Sequence, residues 1–89
     1  LVILSKADKE SIISIAKKYK VSRVLLFGSS ASVDKEGNDL AVDGIVPSDF
    51  FAFYSDLIFG LTKPVDLIDL SGTSRFHRMV AAEGISIYG

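Results

Sequence analysis

Eighty-nine residues, 48% hydrophobic and 24% charged, leave room for one domain, 1–89, that buries about 60 to 65% of its unfolded surface. Ten Lys and Arg against eleven Asp and Glu give a formal charge of -1, which supplies no long-range field to gather nucleic acid or an anionic membrane. Without cysteine the chain has no disulfides, thiolate metal sites or cysteine nucleophile; that fits a reducing compartment, and a cytoplasmic location is expected.

The opening apolar run Leu1–Leu4 is too short for a signal-peptide core or a membrane span. Ser5-Lys6-Ala7-Asp8 fits a capping box, with Ser5 accepting from the amide three residues on and Asp8 reaching back. Ile12, Ile15, Ala16 and Tyr19 then recur at helical spacing, acids early and Lys17, Lys18 and Lys20 late, which predicts a helix over about 6–20. Its polar residues need only solvation and capping.

Val24–Phe27 is continuously apolar and reads as a strand covered on both faces. A polar, glycine-bearing loop, 29–38, leads to a second strand, Asp39–Ile45, in which Leu40 and Val42 point one way and Asp39, Ala41 and Asp43 the other. Pro47-Ser48-Asp49 opens a second helix with Ser48 as its expected N-cap. That helix, Asp49 to about Leu61, carries Phe50, Phe51, Phe53, Tyr54, Leu57, Ile58, Phe59 and Leu61, more than one apolar stripe holds. A protein partner or a second copy of the chain is expected to cover the excess.

Pro64 opens a third strand, Val65–Leu70, followed by a Ser-Gly-Thr-Ser turn, a short helix over about Ser74–Ala82, and Ile85–Tyr88 as a last strand or a docked tail. The order predicts an α/β (α+β) fold, a small mixed sheet covered by helices. The link between the first two strands is too short for a parallel crossover.

Gly28-Ser29 ends a buried strand, where backbone amides and a hydroxyl can meet an anion. Asp39 and Asp66 lie near the starts of the next two strands, so adjacent strands bring both carboxylates beside Ser29, a setting that suits Mg²⁺ on nucleotide phosphates. Residue 37 would share a face with Asp39 about 6 to 7 Å away, but Gly37 offers no ligand. Asp43 is about 13 Å along the strand, and Asp69 points opposite to Asp66. Asp34 and Glu36 can compensate only by folding back from the loop.

Leu26-Phe27-Gly28-Ser29-Ser30-Ala31, Asp39-Leu40-Ala41-Val42, Val65-Asp66-Leu67-Ile68-Asp69-Leu70 and Glu83-Gly84-Ile85-Ser86-Ile87-Tyr88-Gly89 together resemble a minimal nucleotidyltransferase domain of the DNA polymerase β superfamily. The resemblance spans about 24–89. It implies that Gly28 and Ser29 form the turn that binds a nucleoside triphosphate, ATP first among them. It also implies that Asp39 is the second acid of an Asp-x-Asp pair, and that Asp66 is a third acid serving both metal and attacking hydroxyl. Gly37 replaces the pair's first acid, and Ser32-Val33 replaces the Arg-Gly common after the turn. Removing one carboxylate takes away ligands and a negative charge together, so Asp39 and Asp66 suit one weakly bound Mg²⁺ better than two.

Small proteins of that family are commonly paired with a helical HEPN-domain protein in toxin–antitoxin fashion. The resemblance thus implies a degenerate, weakly active or inactive nucleotidyltransferase acting as an antitoxin by binding such a partner. The alternative is an active Mg²⁺-dependent enzyme moving a nucleoside monophosphate from a nucleoside triphosphate to a protein or small-molecule hydroxyl; a third reading is a binding module unrelated to nucleotides. Arg75 and Arg78 share a face of the last helix and can solvate it or meet a phosphate. His77 has neither a cysteine nor a second histidine to complete a zinc site. Phe27, Phe76, Met79 and Tyr88 are expected to pack in the core or an interface.

Overall fold

A computed structural model describes residues 4–27 and 38–89. The order is α1 (Lys6–Tyr19), β1 (Arg23–Phe27), β2 (Asn38–Asp43), a 3₁₀ turn (Pro47–Asp49), α2 (Phe50–Gly60), β3 (Val65–Asp69), α3 (Arg75–Glu83) and β4 (Ile85–Tyr88). Ile85–Tyr88 is thus a strand rather than a docked tail.

The capping box forms by half. Ser5 Oγ accepts from the Asp8 amide at 3.1 Å, but the Asp8 carboxylate turns inward, where it is 3% exposed. There it accepts from Thr62 N–H at 3.2 Å and from the Thr62 hydroxyl at 2.7 Å. A buried carboxylate requires donors, and Thr62 supplies two. Asp8 therefore ties the start of α1 to the segment after α2, a role beyond the solvation and capping expected of it.

α2 also starts differently from expectation. Pro47 fixes its own φ and lacks an N–H, which favours a tight turn, and Asp49 N–H donates to Val46 O at 2.8 Å. Ser48 falls within this turn, and α2 has no side-chain cap. At the end of β2, Gly44 has φ +81, and a Cβ there would collide with Ser22, so the β2 exit requires glycine.

The sheet order is β3-β2-β1-β4. β1 is antiparallel to both β2 and β4, and β2 is parallel to β3, the mixed sheet that the sequence predicts. α2 lies in the β2–β3 crossover, the kind of connection that parallel neighbours need. α1 and α2 cover one face, placing Ile12, Ala16, Phe53 and Leu57 against Val24, Leu26, Leu40, Val42 and Val65. On the other face Leu25, Ala41 and Leu70 pack with Val80 of α3. No helix among the described residues is long and apolar enough to cross a membrane.

α1 and α2 are joined at their exposed edge by Asp56, whose carboxylate accepts from Lys18 Nζ at 2.9 Å and from the Tyr19 hydroxyl at 2.8 Å. The Tyr19 ring stands edge-on to Phe53, with centroids 5.6 Å apart. Lys18 first, then Tyr19, holds the Asp56 carboxyl below its ordinary 3.8, while both donors are raised. The lowered acid stabilises the fold above its unfolded value and loses that contribution as pH falls through its folded one. The raised donors lose theirs as pH rises through their folded values. Asp56→Asn should therefore lower the melting temperature slightly between about pH 5 and pH 9, with the difference from wild type shrinking in acid as the carboxyl takes up its proton. A pH series of thermal melts reads this, and a difference that persists in acid would contradict it.

Candidate functional site

The parallel register of β2 and β3 sets Asp39 directly opposite Asp66, on strands that lie about 4.8 Å apart. Residues paired in register share a face. Ala41 and Ile68, two residues on from each, pack under α3, so both carboxylates project on the α3 face. On its other side Asp39 pairs with Phe27, the last described residue of β1. Asp39 is 7% exposed, whereas Asp66 is solvent-exposed. One acid is thus anchored within the sheet and the other opens outward.

The acids set aside on strand geometry have structural partners. Asp43 forms an ion pair with Arg23 across β1 and β2, with Nε to Oδ2 at 3.0 Å. Asp69 accepts from Ser71 N–H at 2.9 Å and shapes the turn after β3. The residues expected to form the phosphate turn, Gly28 and Ser29, lie outside the described residues, as do Gly37, Asp34 and Glu36.

Asp39 and Asp66 fit one hard divalent cation, because Mg²⁺ is commonly held by one or two carboxylates with phosphates and water completing its shell. No group of three or more His, Asp or Glu side chains that could hold a metal occurs among the described residues. The donor set fits one ion better than two.

On α3, Ser74 caps the helix by accepting from His77 N–H at 3.2 Å, and its hydroxyl also meets His77 Nδ1. His77 thus serves the helix start. Arg78 donates to Thr73 O at 3.4 Å. Phe76 meets Phe27 edge-on at 6.0 Å, yet Phe76 and Met79 remain about half exposed. Their expected packing role is met in part.

α2 presents a second candidate surface. Phe53 and Leu57 are fully buried, while Phe51 is 80%, Ile58 52% and Phe59 87% exposed. Phe51, Ser55 and Phe59 recur every four residues along the outward side, the spacing of one helical ridge. Sequence reasoning missed the Asp8–Thr62 and Asp56–Lys18–Tyr19 contacts. Only Tyr19, a hydroxyl at the end of an apolar stripe, hinted at the second.

No protein-family model and no curated protein matches the chain significantly. Solved structures do. A chain of the toxin–antitoxin MntA-HepT crystal structure superposes with a TM-score of 0.72 at 22% identity, over 96% of this chain and 73% of that one. A mutant of that pair with two aspartates replaced by glutamate gives 0.70 at 23% identity, over 91% of this chain and 72% of the other. A toxin–antitoxin structure with AMP-PNP gives 0.69 at 23% identity, covering 91% and 73%. At this level of identity the likeness establishes the fold alone, the one that those chains share.

Proposed function

We propose that this chain is an antitoxin of nucleotidyltransferase fold that acts by binding a helical HEPN-type partner, with a metal site too depleted for efficient transfer. The observation that carries this reading is the two-sided α2, whose Phe51 and Phe59 stand 80% and 87% exposed on a helix already anchored by Phe53 and Leu57. Exposed aromatics grouped on one helix are typical anchors of protein interfaces. The similarity to chains from MntA-HepT toxin–antitoxin structures supports a partner of this class.

The metal side is weaker by composition. Gly37 contributes no carboxylate where the family's first acid stands, and a metal clamp works by neutralising charge on the transferring phosphate. Mg²⁺ would supply that neutralisation when held by Asp39 and Asp66. Asp66, exposed at the edge strand, is the better placed of the two to meet an incoming hydroxyl. Gly28 and Ser29 would hold the phosphates. Co-expression with a helical HEPN-type protein tests the reading: a tight stoichiometric complex is expected, and full transferase activity of the purified chain would overturn it.

A second reading, an active Mg²⁺- and ATP-dependent nucleotidyltransferase, is favoured by the direct pairing of Asp39 with Asp66. The AMP-PNP in a structure of the same fold also supports it. Under this reading Asp34, Glu36 or a partner residue replaces the lost ligand.

A further inference from the structure

The short segment between α2 and β3 is held by both helices of one face. Thr62 bonds the buried Asp8 carboxylate of α1 through its N–H and its hydroxyl, at 3.2 and 2.7 Å. Three residues on, the Tyr54 hydroxyl of α2 donates to Val65 O at 3.0 Å. Leu61 and Val65 are buried in the core that α1 and α2 cover. Between them Pro64 fixes its own φ and restricts Lys63 to extended backbone. The start of β3 therefore has little slack, and Asp66 follows Val65 directly.

β3 ends the sheet order and is bonded to β2 alone among the described strands, so one neighbour and its own ends decide its register. Side-chain alternation does part of this. Val65 and Leu67 pack on the face covered by α1 and α2, and Ile68 and Leu70 on the α3 face. A one-residue slip would exchange the faces and turn Asp66 into the apolar core. A two-residue slip keeps every side chain on its own face. It moves the strand about 6.6 Å along β2 and separates Asp66 from Asp39 to about 8 Å instead of about 5 Å. Asp8 and Tyr54 oppose that movement, because a displacement of this size breaks the bonds to Thr62 and to Val65 O together.

We propose that Asp8 and Tyr54 are positioning residues for the acid pair: through Thr62 and Val65 they fix the register of β3 that sets Asp66 opposite Asp39. They act from the side of the sheet that α1 and α2 cover, whereas the two carboxylates project on the α3 side. Their effect passes through the backbone of β3. This inference rests on the reading of Asp39 and Asp66 as a site for one divalent cation, but the register can be measured without a metal.

The test combines Tyr54→Phe with Thr62→Val, which removes both hydroxyl donors at nearly unchanged volume. Thr62→Ser keeps the bonds, and Ile12→Val, a truncation in the core, controls for simple loss of stability. Amide exchange followed by NMR should show the β3 amides of the double variant exchanging at least about tenfold faster relative to those of β1, with no such contrast in Thr62→Ser or Ile12→Val. Mn²⁺, which shares the oxygen ligands of Mg²⁺, should bind the double variant at least about tenfold more weakly, read by electron paramagnetic resonance of the free ion. Tyr54→Phe alone, at a half-buried position, should shift both readouts less in the same direction, and it carries the test if the double variant does not fold. Unchanged β3 exchange, or exchange that quickens equally across the sheet, overturns the positioning role. Where Asp66→Asn weakens Mn²⁺ binding, an affinity that the double variant leaves unchanged overturns it too. Where Asp66→Asn changes nothing, β3-selective exchange supports the fixed register and only the metal reading of the pair fails.

Discussion

Replacing Phe51 and Phe59 together by aspartate is expected to weaken the complex with the helical partner by at least about 100-fold, since buried aromatic anchors contribute about 2 kcal/mol or more each and 1.4 kcal/mol is a tenfold change. Aspartate adds a charge that the interface would have to desolvate. The isolated chain should barely respond. Both rings are largely solvent-exposed, and substitutions at such positions usually stay within about 0.5 kcal/mol. Calorimetric titration alongside a thermal melt separates the two effects. Unchanged affinity would remove α2 from the interface, and a collapsed melting temperature would show that the rings serve the fold.

Phe53→Ala, on the opposite side of the same helix, is expected to do the reverse. Phe53 is fully buried among Ile12, Ala16, Leu40 and Leu57 and stands edge-on to Tyr19. Truncating a buried phenylalanine costs about 3–5 kcal/mol, a large part of the roughly 5–15 kcal/mol that holds a small domain together. At about 4–8 °C per kcal/mol for a domain of this size, the melting temperature should fall by well over 10 °C, and binding should be lost because the folded population falls. Phe51→Ala, measured beside it, should melt close to wild type. Equal losses would mean that the inward and outward faces of α2 are wrongly assigned.

The contrast between Phe53 and Phe51 marks how far the sequence could be read. That α2 holds too many apolar residues for one stripe is plain from composition, but periodicity cannot choose the inward side when Phe50, Phe51, Phe53 and Phe59 are all candidates. Packing against α1 and β3 decides it. The second strand was legible because its alternation is strict: Leu40 and Val42 face α1 and α2, and Ala41 faces α3; the first was legible from its unbroken apolar run. The mixed pairing followed from the lengths of the connections.

What the sequence hid was long-range. Asp8 satisfies every local sign of a capping box, yet its carboxylate bonds Thr62, 54 residues away. Ser48 has the chemistry of an N-cap, but Pro47 begins a 3₁₀ turn that leaves it without that job. In the candidate site, strand alternation set Asp43 and Asp69 aside, and the bonds to Arg23 and Ser71 explain why acids stand there. That Asp39 and Asp66 come together was legible from their places near the starts of two strands, but their exact register was not, since neither strand alone specifies which residue of its neighbour it meets. Gly28, Ser29 and Gly37 remain part of the proposal through sequence.

The central claim is that protection comes from binding rather than from nucleotide transfer. Asp66→Asn separates these roles, because the residue is exposed and nearly isosteric with its replacement, so the fold should survive while the outward carboxylate charge is lost. The decisive measurement is growth of cells producing the helical toxin together with either wild-type chain or Asp66→Asn at matched levels. Equal protection by the two is the predicted result; loss of protection by a variant that melts like wild type and still forms the complex would contradict the account and identify the chain as a working transferase.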